Sequence, residues 1–217
     1  MSLVEGLAPE AGGMLEMISE RGTLKCAIPS GPAHFMDGID KDFCEALAAC
    51  LFGGDPSKAI LVEVADETAG IELLASGEVD VMAGAMWTYG KSVKEESTGF
   101  GYSFTQPYFY GKGQENRCLA TRQDDSQWSA FVLWVLMSTI HAEDQGITMS
   151  TSSSMPDMHL FGPSYSEMFR NAVSVVGNYA EIYARSVAES IPRNGRNTLT
   201  TLQNPGPLHF VPPDMMP

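Results

Sequence analysis

FTQPYFYGKGQENRCLATRQDDSQW, Phe104 to Trp128, reads as a strand, a turn and a second strand, followed at once by the apolar helix WSAFVLWVLMSTIHAEDQGI. Tyr102 to Tyr110 alternates aromatic with small residues, which suits an extended segment, and Arg117 to Thr121 continues in that conformation. The apolar run Trp128 to Ile140 is too short to span a bilayer and is interrupted by Ser138 and Thr139, so it predicts a buried helix.

Upstream, Gly13 to Arg21 carries apolar side chains at helical spacing and Gly22 stops it. LKCAIP, Leu24 to Pro29, predicts a strand, and the breaker-rich SGPAHFMDG a loop. Asp40 is then read as the N-cap of a helix running through Asp42, Phe43, Leu47 and Leu51 to Gly53-Gly54. KAILVEV, Lys58 to Val64, predicts a strand buried on both faces. Glu67 to Ser76 predicts a helix closed by Gly77, and Val79 to Ala83 a third strand. Strand, helix, strand, helix, strand in this order means βαβ units and a parallel sheet covered on both sides.

Downstream, Met149 to Ser164 is rich in serine, proline and glycine and predicts a mobile surface loop. Tyr165 to Ser190 predicts a helix with a break near Gly177, and Asn197 to Gln203 a last helix. The tail NPGPLHFVPPDMMP holds too many prolines for regular structure.

At 217 residues and 44% hydrophobic content the chain can bury one substantial core. A formal charge of −14 and a pI near 4.5 repel nucleic acid and anionic headgroups, which excludes both as partners. Cys26, Cys44, Cys50 and Cys118 lack metal-ligand spacing. They read either as one or two disulfides of an exported protein, with Cys26 and Cys44 the favoured pair, or as four small buried hydrophobes. His34, His141, His159 and His209 are dispersed, and there is no GxSxG, P-loop or GxGxxG, so neither catalysis, a metal nor a cofactor is expected. Asp40 and Asp42 together read as capping carboxylates.

Several stretches carry a resemblance in order along nearly the whole chain: RGTLKCAIPSG, GIDKDFCEALAACLFGGD, LLASGEVDVMAGAMWT, SFTQPYFYGKGQ, the Trp128 helix, VGNYAEIY and GRNTLTTLQNPGPLHFVPP. Together they resemble the type II extracellular solute-binding proteins of family 3, and among them the general L-amino-acid binders of bacterial ABC importers. The resemblance implies an α/β lobe, a mostly parallel sheet with helices on both faces and C-terminal helices, and a ligand at the carboxyl ends of the strands. It also implies an ABC permease partner and a periplasmic or extracellular location. The start MSLVEGLAPEAGG has no basic segment leading into an apolar one, so a signal peptide is expected to have been removed.

In that family the chain leaves the first lobe after a segment like YYFGKGQ, builds a second lobe and returns before one like DDSQW. Here GQENRCLATRQDD joins those points directly. Residues 1–217 are therefore expected to form a single lobe equivalent to the first domain, with the junction at about residues 112–124.

The family's loop after the third strand presents hydroxyl or amide groups and then an arginine that clamps the ligand's α-carboxylate. This sequence has Ala83 to Lys91, AGAMWTYGK, so Lys91 stands where the arginine would be and is not an equivalent fork. Thr88 and Lys91 can be carried over as ligand contacts, with Phe35 and Trp87 as candidate walls. Against these stand a solvated loop lysine beside Lys94 and a core tryptophan.

One exposed charge contact from Lys91 is worth about 0–1 kcal/mol, and a Trp87 or Phe35 contact adds about 1–2 kcal/mol. A millimolar dissociation constant requires about 4 kcal/mol, so weak or altered binding of an amino acid or similar small polar solute is expected. The alternative is an interaction module that homodimerises through the surface exposed by loss of the second lobe, including Tyr108, Tyr110 and the extended segments around Cys118. The resemblance extends to dehydratases of prephenate-like acids, but these place acid groups between two lobes, and no such pair converges here.

Overall fold

The computed structural model describes residues 13–29, 37–93, 96, 99–111, 116–158, 161–189, 191–200 and 209–210. Its elements are α1 (Met14–Arg21), β1 (Leu24–Pro29), α2 (Asp37–Leu51), β2 (Ala59–Val64), α3 (Glu67–Ser76), β3 (Val81–Ala85), β4 (Tyr102–Phe104), β5 (Phe109–Tyr110), β6 (Asn116–Arg122), α4 (Ser126–Asp144), α5 (Met168–Val176), α6 (Tyr179–Ser186), β7 (Leu199–Thr200) and β8 (His209–Phe210).

The main sheet runs in the order β2-β1-β3-β6-β4, with β5 pairing to β6. β1 is parallel to β2 and β3, as the βαβ alternation requires. β6 is antiparallel to β3, β4 and β5, so the sheet is mixed. Parallel strands in the middle of a covered sheet read as continuous apolar runs because both faces are buried. β1 shows this: Leu24, Cys26 and Ile28 face a large core built with α2, α4, α5 and α6, while Ala27 faces a smaller one beneath α3. In the second core Gly70 of α3 lies so close to Met82 that an added Cβ would sit 2.6 Å from its Sδ. That contact sets how near α3 approaches the sheet.

Local signals end most elements where the residues direct. Gly22 and Gly77 adopt left-handed φ of 74° and 77° and close α1 and α3, and Asp66 caps α3 by accepting from Ala69 N. Asp125 caps α4 through Trp128 N at 2.8 Å, and Trp128 is buried, with its indole donating to Asp80 O. Gly177 interrupts the helical run between α5 and α6. Cys26 of β1 and Cys44 of α2 form a disulfide, whereas Cys50 and Cys118 are free and buried.

Several expectations are overturned. α2 starts at Asp37, three residues before Asp40, so Asp40 and Asp42 lie inside the helix and are not its caps. β2 is an edge strand with Val64 its one buried residue, since among the described residues no strand pairs on its far side. The stretch after α4 is not a free surface loop: Met149–Ser154 forms a 3-10 turn, and Met155 and Met158 are buried in the main core. The helix expected from Asn197 is replaced by a 3-10 turn at Gly195–Asn197 and by β7, which pairs with β8 inside the proline-rich tail. The rest of that helix, at 201–203, lies outside the described residues.

Within the expected junction of 112–124, residues 112–115 lie outside the described residues, Asn116–Arg122 is strand, and Tyr110 pairs with Asn116 and Phe109 with Arg117. No helix among the described residues is long and apolar enough to cross a membrane.

Candidate functional site

β1 and β3 are parallel and end at Pro29 and Ala85, and antiparallel β6 begins beside them at Asn116. These three ends form one rim, the default ligand position in an open α/β sheet. Its shape depends on a bulge. Met82 pairs with Ala120 but Ala85 pairs with Cys118, so β3 carries one residue more than its partner between those points. Gly84, in this interval, has φ +74°. A bulge of this kind bends the strand, and a left-handed residue in it favours glycine.

The bulge frees the Gly84 amide from the ladder, and Tyr108 Oη accepts it at 2.6 Å. The same hydroxyl donates to Asp40 Oδ1 at 2.5 Å, and Asp40 Oδ2 pairs with Arg117 Nη1 at 3.4 Å. Tyr179 Oη donates to Tyr108 O. Asp40 and Tyr108 are fully buried and Arg117 nearly so. Burial first and the Asp40 carboxylate second push the Tyr108 phenol well above its ordinary range, so it stays a neutral donor. The floor of the rim is thus a satisfied polar network joining α2, β3, the segment before β5 and β6.

This network was missed in the sequence, where Asp40 was read as a cap. The helical period held the signal, since Asp40 stands three residues before Phe43 and seven before Leu47, on the buried stripe. A carboxylate on that stripe requires a partner. Asp42 faces a different set and is held by Arg185 and Ser186 of α6. Burial raises its pKa, partly offset by Arg185.

The expected contacts divide. Phe35 and His34 lie outside the described residues. Trp87 is on the rim and not in the core: it is 54% exposed, its backbone N–H donates to Asn116 Oδ1 at 2.9 Å and its indole to Ser92 Oγ at 3.1 Å. Thr88 is exposed, and its hydroxyl accepts from Lys91 N at 3.5 Å. Lys91 turns away to Glu67 Oε1 at 2.5 Å, which also accepts the Met86 amide. Met86, Tyr89 and Val93 are exposed around Trp87. Burial pushes the Cys118 thiol, below this loop, up to about 12. Among the described residues no cluster of His, Cys, Asp or Glu could hold a metal.

No family model matches the chain. It is 31% identical over 111 residues to the general L-amino acid-binding periplasmic protein AapJ of Rhizobium johnstonii, a match covering 43% of this chain and a third of that protein. It is 22% identical to YhdW of Escherichia coli K12, whose name provisionally assigns it to amino-acid ABC transporter binding, across 94% of this chain and 93% of that one. The chain is a distant relative of the amino-acid ABC transporter solute-binding proteins. The YhdW alignment runs over 323 positions, more than the 217 residues present, so at least 106 of its positions meet no residue here. Among solved structures, an ABC transporter periplasmic binding protein from Brucella ovis with glutathione bound superposes with a TM-score of 0.66 at 18% identity, covering 86% of this chain and 95% of that one. That likeness concerns the fold alone. The relatives of this solute-binding family are named for binding and transport, not for catalysis.

Proposed function

We propose that this chain is one lobe of a solute-binding protein, spanning 1–217, which takes an amino acid or similar small polar solute weakly at the rim formed by β1, β3 and β6. The observation that carries this is the pairing of Phe109 and Tyr110 of β5 with Arg117 and Asn116 of β6, in a chain whose alignment to a full-length relative leaves at least 106 positions unmatched. A ligand on this rim keeps one side in water, which forgoes the desolvation that two closing lobes provide. Phe35, Trp87 and Thr88 are the proposed contacts. Lys91 reaches an anion only by leaving Glu67, so its net contribution falls below the already small value of an exposed pair. A periplasmic or extracellular location and an ABC permease partner belong to the same reading. Thermal-shift and calorimetric titration with a panel of amino acids tests it: stabilisation at millimolar concentration is expected, and no response to any of them would remove the claim.

A second reading, a homodimer through the uncovered rim, is favoured by one observation. Met86, Trp87, Tyr89 and Val93 are 40%, 54%, 87% and 45% exposed within eight residues. At about 200 Å² per large side chain this is roughly 450 Å² per copy. Two such patches reach about 900 Å², below the roughly 1,200 Å² of a stable interface. The dimer is therefore expected to be transient, visible as a mass that rises with concentration into the millimolar range, and light scattering that gives a constant monomer mass up to that range would remove it.

A further inference from the structure

The charges at the rim are compensated inside the protein. Lys91 pairs with Glu67 at 2.5 Å and Arg117 with Asp40 at 3.4 Å. Among the described residues of the rim, Lys91 and Arg117 therefore each already face a carboxylate, and the chain as a whole carries −14. What the rim does offer is an aromatic face held in position. The Trp87 ring is tied at its indole N–H to Ser92 Oγ and its backbone to Asn116 Oδ1, yet more than half of the residue is exposed. Tyr89, two residues on, is 87% exposed. A ring held at its N–H edge in a residue more than half exposed can take a cation through its quadrupole, and the protein's net negative charge adds to that attraction.

We infer that this lobe recognises the cationic end of its solute, an alkylammonium or guanidinium group laid on Trp87, and not the carboxylate end. The inference rests on the solute-binding reading and deepens it by naming the charge that the site selects. Glu67 assists by accepting from the Met86 amide and pairing with Lys91, which neutralises the ammonium that also donates to Met86 O at 3.4 Å. An aromatic cation site also tolerates one open side better than a bidentate carboxylate clamp does, since a soft cation is only partly stripped of water when it stacks.

The test uses two charge forms of one solute, free arginine and arginine methyl ester, with N-acetylalanine as an anion lacking any cationic group. Binding is followed by the indole ¹⁵N–H signal of Trp87, assigned by its disappearance in Trp87→Phe, while Trp128 and Trp134 serve as internal references. The expected result is that the ester, which lacks the carboxylate, shifts the Trp87 signal at least as strongly as free arginine and that N-acetylalanine leaves it unmoved. Trp87→Ala, at an exposed position, is expected to weaken the ester about three- to fivefold by thermal shift. Binding of N-acetylalanine as tight as the ester, or binding of the ester unchanged in Trp87→Ala, would overturn the inference alone. Failure of every solute, in both assays, would overturn it together with the solute-binding reading.

Discussion

Gly84 carries the sharpest quantitative expectation, because Gly22 serves as its control. Both have φ +74°, so both place a side chain in the left-handed region at about 1 kcal/mol if replaced by alanine. At Gly22 an added Cβ meets nothing within 4 Å, so Gly22→Ala is expected to lose only that backbone cost. At Gly84 the same Cβ lies 2.7 Å from Asp40 Oδ2 and 3.1 Å from Arg117 Nη1 and Pro29 Cδ. Something there must move, and what moves is the buried bond set of Asp40, Tyr108 and Arg117. Loss of one buried partner adds about 1–3 kcal/mol. Gly84→Ala is therefore expected to destabilise by about 3 kcal/mol, roughly 6–12 °C in Tm for a chain of this size. Urea denaturation followed by circular dichroism reads the difference as a change of midpoint at constant slope. If Gly84→Ala falls within about 0.5 kcal/mol of Gly22→Ala, the network does not hold the rim and the reasoning fails.

Three further outcomes are expected. Cys26→Ser with Cys44→Ser removes a cross-link of 18 residues and lowers stability by about 3 kcal/mol, measured by the same denaturation; an unchanged midpoint would contradict the structural role. Cys50 and Cys118 are buried with raised thiol pKa, so a disulfide reagent at pH 8 is expected to label neither until the protein is unfolded in denaturant, and prompt labelling of the native protein would refute this. Burial raises Asp42 and Asp80 above 3.8, so their protonated forms favour the folded state. That stability is present in full below the unfolded value and is lost as pH rises through the folded one, so these two groups are expected to raise Tm as pH falls through their folded values toward 3.8. Relief of the −14 charge acts in the same direction. A Tm that falls steadily over that interval would contradict both.

The fold was legible where local signals act alone. β1 is bounded as its apolar run and Pro29 indicate, the end of α3 by Gly77, and the break at Gly177 by its glycine. It was less legible where tertiary contacts decide. β2 is as apolar as a central strand, yet its place at the sheet edge follows only from strand order. The serine-rich stretch after α4 hides Met155 and Met158, which anchor it to the core against its composition. Asn197 looked helical, but its side chain is spent on Tyr110, accepting from N at 2.8 Å and donating to O at 2.9 Å, which draws the chain away from a helix and toward β5. At the candidate site, the position of Trp87 and Lys91 after β3 was legible from the resemblance, but the partner of Lys91 was not. Glu67 lies 24 residues earlier, and only the packing of α3 brings it there.

Whether a single lobe with an open rim takes a solute is decided by an amide ¹⁵N NMR titration with unmodified amino acids. The expected result is fast-exchange shifts centred on residues 84–92 and on the end of β1, with a dissociation constant of about a millimolar or weaker. A micromolar constant, or shifts centred away from that rim, would contradict it.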